Sequence, residues 1–412
     1  KQLDVTLGSA ALAAGLVTIN LIDTTAGTET VVVGAGYTGT LTVDFDTDAL
    51  GLNSVIATGS AATIIVTAAD SDLDTTAQVI TGGSGTSDEI KITSSADTTL
   101  LPASWSAVEK ITTVASAGTI SLTTVAANVA SGATMTINAT SMTDEAFTFV
   151  GTAETATTPG HFVITAAGTA AHDITLGSGN DSYTSTSTGA DDVTATAGTN
   201  IISTGGGADI IYIGTGVDTV TAGDGNDLIT SAHLGLISTD TIAGGAGTDT
   251  LAMSNASTVV DADFTLITGV EKINSGNNAL TLTLGALSQA AGLTTVTGGT
   301  GANSITIGAG HTGALTVALV AGTDTIAATA YTGALTVTAA TASITAADTI
   351  TGGTGSDTLT ITGGTNALSA AELAGITKVE TFKAATDAAQ TIVMSDNNVA
   401  AGGTLTYNAA LM

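Results

Sequence analysis

The chain has 412 residues with 36 acids against six lysines and no arginine, a net charge of −30. That balance excludes nucleic acid as a partner, because phosphate binding needs basic side chains, and it disfavours anionic membrane surfaces. With no cysteine, no run of about 18 apolar residues and 43% hydrophobic content, the chain reads as a folded β protein without disulfides or a membrane-inserted helix.

Residues 1–158 are expected to form an N-terminal β-solenoid segment. Short alternating strands run VTINLI, ETVVVG, TLTVDF, SVIATG and ATIIVT, separated by Gly, Asp and Asn. A helical period is confined to a short apolar opening around Ala10–Val17. A glycine turn follows at Thr81–Asp88, then EIKI, and later Val108-Glu109-Lys110-Ile111. Thr157-Thr158-Pro159-Gly160 marks the expected boundary with the next segment.

Residues 159–252 carry a repeat. Its turns read LGSGND, STGADD, ATAGTN, TGGGAD, IGTGVD, AGDGND and GGAGTD. The acid or amide positions are Asp181, Asp191, Asn200, Asp209, Asp218, Asp227, Asp240 and Asp249, at steps of ten, nine, nine, nine, nine, thirteen and nine. Two places after each stands an apolar residue: Tyr183, Val193, Ile202, Ile211, Val220, Ile229, Ile242 and Leu251. A fixed period of nine signals a repeat architecture. Glycines supply the backbone angles of a tight turn, and the short strand that follows points one apolar side chain inward. Two units would make one coil of a flattened parallel solenoid. Coiling would align Asp191, Asp209, Asp227 and Asp249 on one edge, across a four-residue insertion at Ser231–Leu234. Asp181, Asn200, Asp218 and Asp240 would align on the other. Stacked carboxylates repel unless a cation sits between them, and calcium, which takes six to eight oxygens, suits such a ladder.

Residues 253–412 are expected to form a C-terminal β-solenoid segment. The module of glycine turn, strand, excursion and V-E-x-[IF] strand returns here. Asp249 is followed by Val270-Glu271-Lys272-Ile273, and Asp357 by Val379-Glu380-Thr381-Phe382. With Asp88 and Glu109, the Asp-to-Glu separations are 21, 22 and 23 residues. GAGYTGTLTV at Gly34–Val43 is echoed at Gly308–Val317 and Thr329–Val337. The excursions have room for a helical turn, with Ser369–Glu372 as a capping box. Trp105, Tyr37, Tyr331 and Tyr407 are expected in core or rim packing. The histidines at 161, 172, 233 and 311 stand alone, and solvated surface positions are expected for them.

The nine-residue block resembles the RTX (hemolysin-type) calcium-binding nonapeptide repeat, GGxGxDxUx. The best units are Thr204–Tyr212, Ile213–Thr221, Ala222–Thr230 and Gly244–Ala252. The resemblance implies an all-β, right-handed parallel β-solenoid (β-roll) that binds several Ca2+ ions between coils. It assigns side-chain ligation to Asp181, Asp191, Asp209, Asp218, Asp227, Asp240, Asp249 and Asp357. It assigns turn positions to Gly205, Gly207, Gly214, Gly216, Gly223, Gly225, Gly245 and Gly247.

The Ala/Thr/Gly background and the three modules resemble RTX-type surface-layer (S-layer) proteins of Gram-negative bacteria. That resemblance implies a structural, non-enzymatic, extracellular protein of the bacterial cell surface. It would leave the cell by type I secretion and assemble with itself, calcium-dependently, into an S-layer lattice or filament, with cell-surface polysaccharide as a further partner. Neither H-E-x-x-H nor G-x-S-x-G occurs. The alternative is a repeat segment of an RTX adhesin, binding a surface or ice through Thr-x-Thr pairs such as Thr281/Thr283 and Thr336/Thr338. A polysaccharide-modifying enzyme is the third reading, disfavoured because uronate binding needs basic groups.

Overall fold

The computed structural model describes residues 3–21, 27–45, 52–69, 72–73, 78–93, 98–100, 104–113, 118–125, 128–151, 159–231, 239–363, 368–384, 392–394, 398 and 406–408. Positions 157–158 of the expected boundary, His233, and the insertion beyond Ser231 lie outside these residues. The fold is all-β: parallel strands stack, coil upon coil, as a β-solenoid with almost no helix. The chain divides into two compact units, Lys1–Tyr212 with Thr221–Asp224, and Ile213–Val220 with Gly225–Met412.

In the first unit, strands expected from alternation form in register. Leu3–Leu7, Thr28–Val33 and Leu52–Ile56 pair in parallel. Thr18–Leu21, Thr40–Phe45, Thr63–Ala68 and Glu89–Ile92 stack as a second sheet. It continues through Lys110–Thr113, Thr134–Ala139, His161–Ala166, Ser182–Ser185 and Ile201–Ser203. A third sheet stacks Ile120–Thr123, Phe147–Val150, Asp173–Thr175, Asp192–Thr194 and Ile210–Ile213. β-branched and small residues suit these pleated, half-buried surfaces, and in strands such as Thr40–Phe45 and Thr134–Ala139 inward positions alternate with outward ones. Phe147, Phe149 and Phe162 are buried together in this core. The Phe149 and Phe162 rings meet edge to face with centroids 4.9 Å apart. A Cβ on Gly151 would come within 2.7 Å of one ring and 2.9 Å of the other, so the aromatic pair needs glycine there.

In the second unit one sheet stacks Leu228–Ser231, Thr250–Met253, Lys272–Asn274, Thr295–Thr297, Leu315–Leu319, Leu335–Ala339, Thr358–Ile361 and Thr381–Ala384. Its inward column runs Ile229, Leu251, Ile273, Val296, Val317, Val337, Leu359 and Phe382, all buried. The facing sheet stacks Ser257–Val259, Leu280–Leu284, Ser304–Ile307, Thr325–Ala327, Thr349–Thr351 and Ile376–Thr377. Its outward positions form two straight columns. One runs Thr258, Thr281, Ser304, Thr325 and Thr349, the other Thr283, Thr306, Ala327, Thr351 and Thr377.

The expected excursions do hold a helical turn. Asp261–Phe264 is a 3-10 turn before Val270, and Ser369 and Glu372 exchange the two hydrogen bonds of a capping box. Five-residue helices at Ser9–Ala13 and Ala286–Ala290 each precede one copy of the GAG(Y/H)TG echo. The echoed residues shape equivalent corners. Tyr37 and Tyr331 are buried, and their hydroxyls donate to backbone carbonyls of Leu16 and Thr40, and of Gly313 and Ala334. His311 fills the same position in its copy. The expected solvated histidines therefore need correction: His172 is 1% exposed and His311 is not exposed at all. Trp105, Tyr37 and Tyr331 lie in the core as expected, and the Tyr407 side chain lies outside what the structure describes.

Replacing Phe149 by Ala is expected to cost about 3–5 kcal/mol, since it removes a ring from a close-packed pair and leaves a cavity. Chemical denaturation of the variant, compared with an exposed Val17→Ala control, checks this.

Candidate metal-binding turns and the carboxylate ladder

The apolar partners of the nine-residue turns (Tyr183, Val193, Ile202, Ile211, Val220, Ile229, Ile242 and Leu251) are all buried, as the period demands. With those side chains fixed inward, the preceding acid is drawn into the turn. Asp181, Asp191, Asp209, Asp218, Asp227, Asp240, Asp249 and Asp357 are each no more than 2% exposed. Burial of an ionised carboxylate is costly unless donors surround it.

The donors come from the neighbouring coil. The Asp191 amide donates to Oδ1 of Asp209 at 2.7 Å, and the Asp181 amide to Oδ1 of Asn200 at 3.0 Å. In the second unit the Asp227 amide donates to Oδ1 of Asp249 at 2.9 Å, and the Asp218 amide to Oδ1 of Asp240 at 3.0 Å. Within each unit, then, the acids expected to share an edge do stack. The bonds to Asp209, Asp249 and Asp240 are of the charge-assisted kind, whereas Asn200 offers a neutral amide oxygen.

The ladder reaches residues the nonapeptide pattern does not mark. Asn303 donates its amide to Asp324 Oδ1 at 3.1 Å, and Asp324 donates to Asp348 Oδ1 at 2.7 Å. His172 also takes a carboxylate's place. Its Nδ1 accepts the Phe147 amide at 3.1 Å while its own amide donates to Asp191 Oδ1 at 2.9 Å. Burial lowers the imidazole pKa, which keeps the ring neutral and Nδ1 free to accept.

The recurring Asp-to-Glu module proves to be the end of such a ladder. The Asp88, Asp249 and Asp357 amides donate to Oε2 of Glu109, Glu271 and Glu380 at 2.9, 2.8 and 2.8 Å. In return the amide of each Glu, and that of the residue after it, donates to the backbone carbonyl of the same Asp. The glutamate coil thus turns its amide back instead of offering it forward. The signal was present in sequence as the 21-, 22- and 23-residue separations, each one coil long.

The acids divide by how their second oxygen is engaged. Oδ2 of Asp88 accepts the Gly83 amide at 2.8 Å, and Oδ2 of Asp357 accepts that of Gly353 at 2.6 Å, so backbone donors hold both oxygens. Asp191 Oδ2 accepts the Tyr183 hydroxyl at 2.9 Å. By contrast Oδ2 of Asp181, Asp249 and Asp324 is buried without a hydrogen-bond partner. Burial raises the pKa of Asp181, Asp209, Asp249, Asp324 and Asp357, and pushes Asp191 up to about 6.

The turns fit a hard cation on these grounds. Gly205, Gly207, Gly216, Gly223, Gly225, Gly245 and Gly247 have φ between +96° and +146°, whereas Gly214 does not have positive φ. Two positions show why only glycine serves. A Cβ on Gly223 would lie 1.9 Å from the Gly205 carbonyl oxygen, and one on Gly247 would lie 1.6 Å from that of Gly225. At Gly244 a Cβ would meet both the Gly269 carbonyl oxygen at 1.8 Å and Asp249 Oδ2 at 2.5 Å, so a carbonyl and a buried carboxylate come together there, oxygen donors of the type calcium takes. Among the described residues no three Asp, Glu or His side chains converge on one point, so any such ion would rely largely on backbone carbonyls. Elsewhere, a cleft of about 480 Å³ beside Thr86, Lys110 and Thr134 holds one carboxylate, Glu109, whose Oε2 is the oxygen engaged by Asp88.

Two outcomes follow from this geometry. In metal-free protein the folded carboxyl of Asp191 keeps its proton to about pH 6, whereas its unfolded value is 3.8. The folded state binds the extra proton between these values, so stability falls as pH rises from 4 through 6. Thermal melts in chelator between pH 4 and 6, where protons take the place of a cation in relieving the repulsion among the acids, should show this, and Asp191→Asn should flatten the profile while keeping an Oδ1 acceptor. Separately, Glu271→Ala strands the Asp249 amide and is expected to cost about 1–3 kcal/mol, with Glu271→Gln largely spared. Denaturant titration of both variants measures the difference.

Searches against protein-family models, curated proteins and solved structures find no match to this chain.

Proposed function

We propose that the protein is an extracellular structural component of a bacterial surface, secreted unfolded by a type I route and assembling with itself into an S-layer lattice or filament once calcium is available. The observation that carries this reading is the stack of buried turn carboxylates on a chain of net charge −30. A protein built in this way has too few cations of its own to offset its acids. Among the described residues two of its lysines, Lys91 and Lys110, are paired with the same Glu89.

Calcium would supply the missing positive charge at the turns. The chain's own part is to hold the oxygens ready: glycines bring carbonyls together, amides fix Oδ1, and Oδ2 of Asp181 and Asp249 stays buried without a protein donor. Where calcium is scarce, self-repulsion among the acids opposes coiling and keeps the chain extended for export. Where it is plentiful, neutralised coils stack, and folding and ion binding are one equilibrium. No helix among the described residues is long and apolar enough to cross a membrane. Cell-surface polysaccharide is the further partner of this reading.

The test is circular dichroism and electron microscopy of one preparation at neutral pH, where the acids are ionised, in millimolar calcium and in excess chelator. Calcium should give β structure and sheets or filaments, and chelator should abolish both. An unchanged spectrum, with assemblies that survive chelation, would overturn the reading.

A further inference from the structure

The turns at 244–249 and 298–303 have the same length and the same three glycines, GGAGTD and GGTGAN. They close differently. Gly245 and Gly247 take left-handed φ of +113° and +140°, whereas Gly299 and Gly301 do not. The sixth side chain nonetheless comes to the same place in both. A Cβ on the first glycine would lie 2.5 Å from Asp249 Oδ2 in one turn and 2.9 Å from Asn303 Nδ2 in the other. Asp249 leaves that oxygen buried without a partner, while Asn303, itself 2% exposed, brings two hydrogens there. Its Nδ2 donates to the Gly299 carbonyl at 3.0 Å, to the Gly301 carbonyl at 3.0 Å and to Asp324 Oδ1 at 2.8 Å. The orientation of the amide is set from its other end. There Oδ1 accepts the Leu280 amide at 3.0 Å and the Gly299 amide at 3.3 Å.

Two turn carbonyls and a carboxylate oxygen gathered on one point are the donors a hard cation takes. The amide has two hydrogens for these three oxygens, so one hydrogen is shared. The second oxygen of the same carboxylate, Asp324 Oδ2, is buried without a donor, so the cage holds more acceptor than the amide can fill. We propose that the Asn303 side-chain amide stands in for the metal ion at this corner, so that the turn closes on the chain's own donor and takes no divalent cation. The inference rests on the calcium reading of the aspartate turns and goes beyond it. It separates turns whose closure follows the calcium concentration from one whose closure does not. The GGTGSD turn at 352–357 is a third case: the Gly353 amide, not its carbonyl, faces the side chain and donates to Asp357 Oδ2 at 2.6 Å. At 298–303 the Asp324 carboxylate prevents that solution for an acid. Whichever way the Gly299 peptide turned, a carboxylate in place of the Asn303 amide would meet Asp324 Oδ1, and like charges so close need a cation between them.

Crystals of the parent protein grown with terbium, which replaces calcium and scatters anomalously, locate the ions directly. Terbium is expected at the Asp249 turn and not between Gly299 and Gly301, and an ion bound between those two glycines overturns the inference. In solution, Asn303→Asp is compared with the parent in thermal melts at neutral pH over a series of rising calcium concentrations. The variant should melt below the parent at low calcium and close the gap as calcium rises, because an ion that binds only the folded state stabilises it by mass action. Equilibrium dialysis at saturation should count one more calcium per chain in the variant. A gap that stays constant is what a plain hydrogen-bonding role of Asn303 gives. That result, an unchanged ion count, or a variant that calcium never restores to the folded state would each overturn the inference. A parent without terbium at the Asp249 turn overturns the calcium reading of the aspartate turns instead. The additional ion in Asn303→Asp then still decides whether the amide fills an ion's place.

Discussion

Everything in the second half of each nine-residue turn depends on one hydrogen bond, from a backbone amide in one coil to a carboxyl oxygen in the next. Parallel sheets alone would hold the coils in register along the strands. The turns between strands have no such ladder, and their glycines make them the most permissive part of the chain. The Asp191–Asp209 and Asp227–Asp249 bonds supply a second, side-chain ladder at those corners. It fixes where each turn sits relative to its neighbour and buries the acid in doing so.

That burial has a cost which the neighbouring amides only partly offset. Each carboxylate gains charge-assisted donors but loses water, and burial is the leading cause of every raised aspartate pKa in the ladder. The corners differ in how the balance is met. Asp357 is held by two backbone amides, Asp191 by an amide and a tyrosine hydroxyl, and Asp249 by one amide with its other oxygen left over. The corners thus share a scaffold while differing in whether the chain's own donors fill the second carboxylate oxygen.

Much of this was legible in the sequence. The apolar residue two places after each acid gave the inward column, and the period of nine gave the stacking of Asp181 on Asn200 and Asp191 on Asp209. The echoes around Tyr37 and Tyr331 marked equivalent corners. The rest was hidden for physical reasons. Asp324 and Asp348 sit in turns without the full glycine pattern, and His172 joins the ladder through a ring nitrogen that composition cannot flag. Sequence spacing also concealed the threonine columns, since coils of unequal length bring unequal intervals into the same register. Nor does charge repulsion between acids reveal the neighbouring amides that bind Asp181, Asp191, Asp209, Asp240 and Asp249.

The difference between aspartate and glutamate in this ladder amounts to punctuation. A coil bearing Asp191 accepts a bond from the coil before and offers one to the coil after, so it can be followed by another of its kind. A coil bearing Glu271 accepts but folds its own amide back onto Asp249, and the column stops there. A gene encoding such a chain could gain or lose whole aspartate coils ahead of the glutamate without disturbing either flank. Variation in length between relatives would then be written in units of a coil.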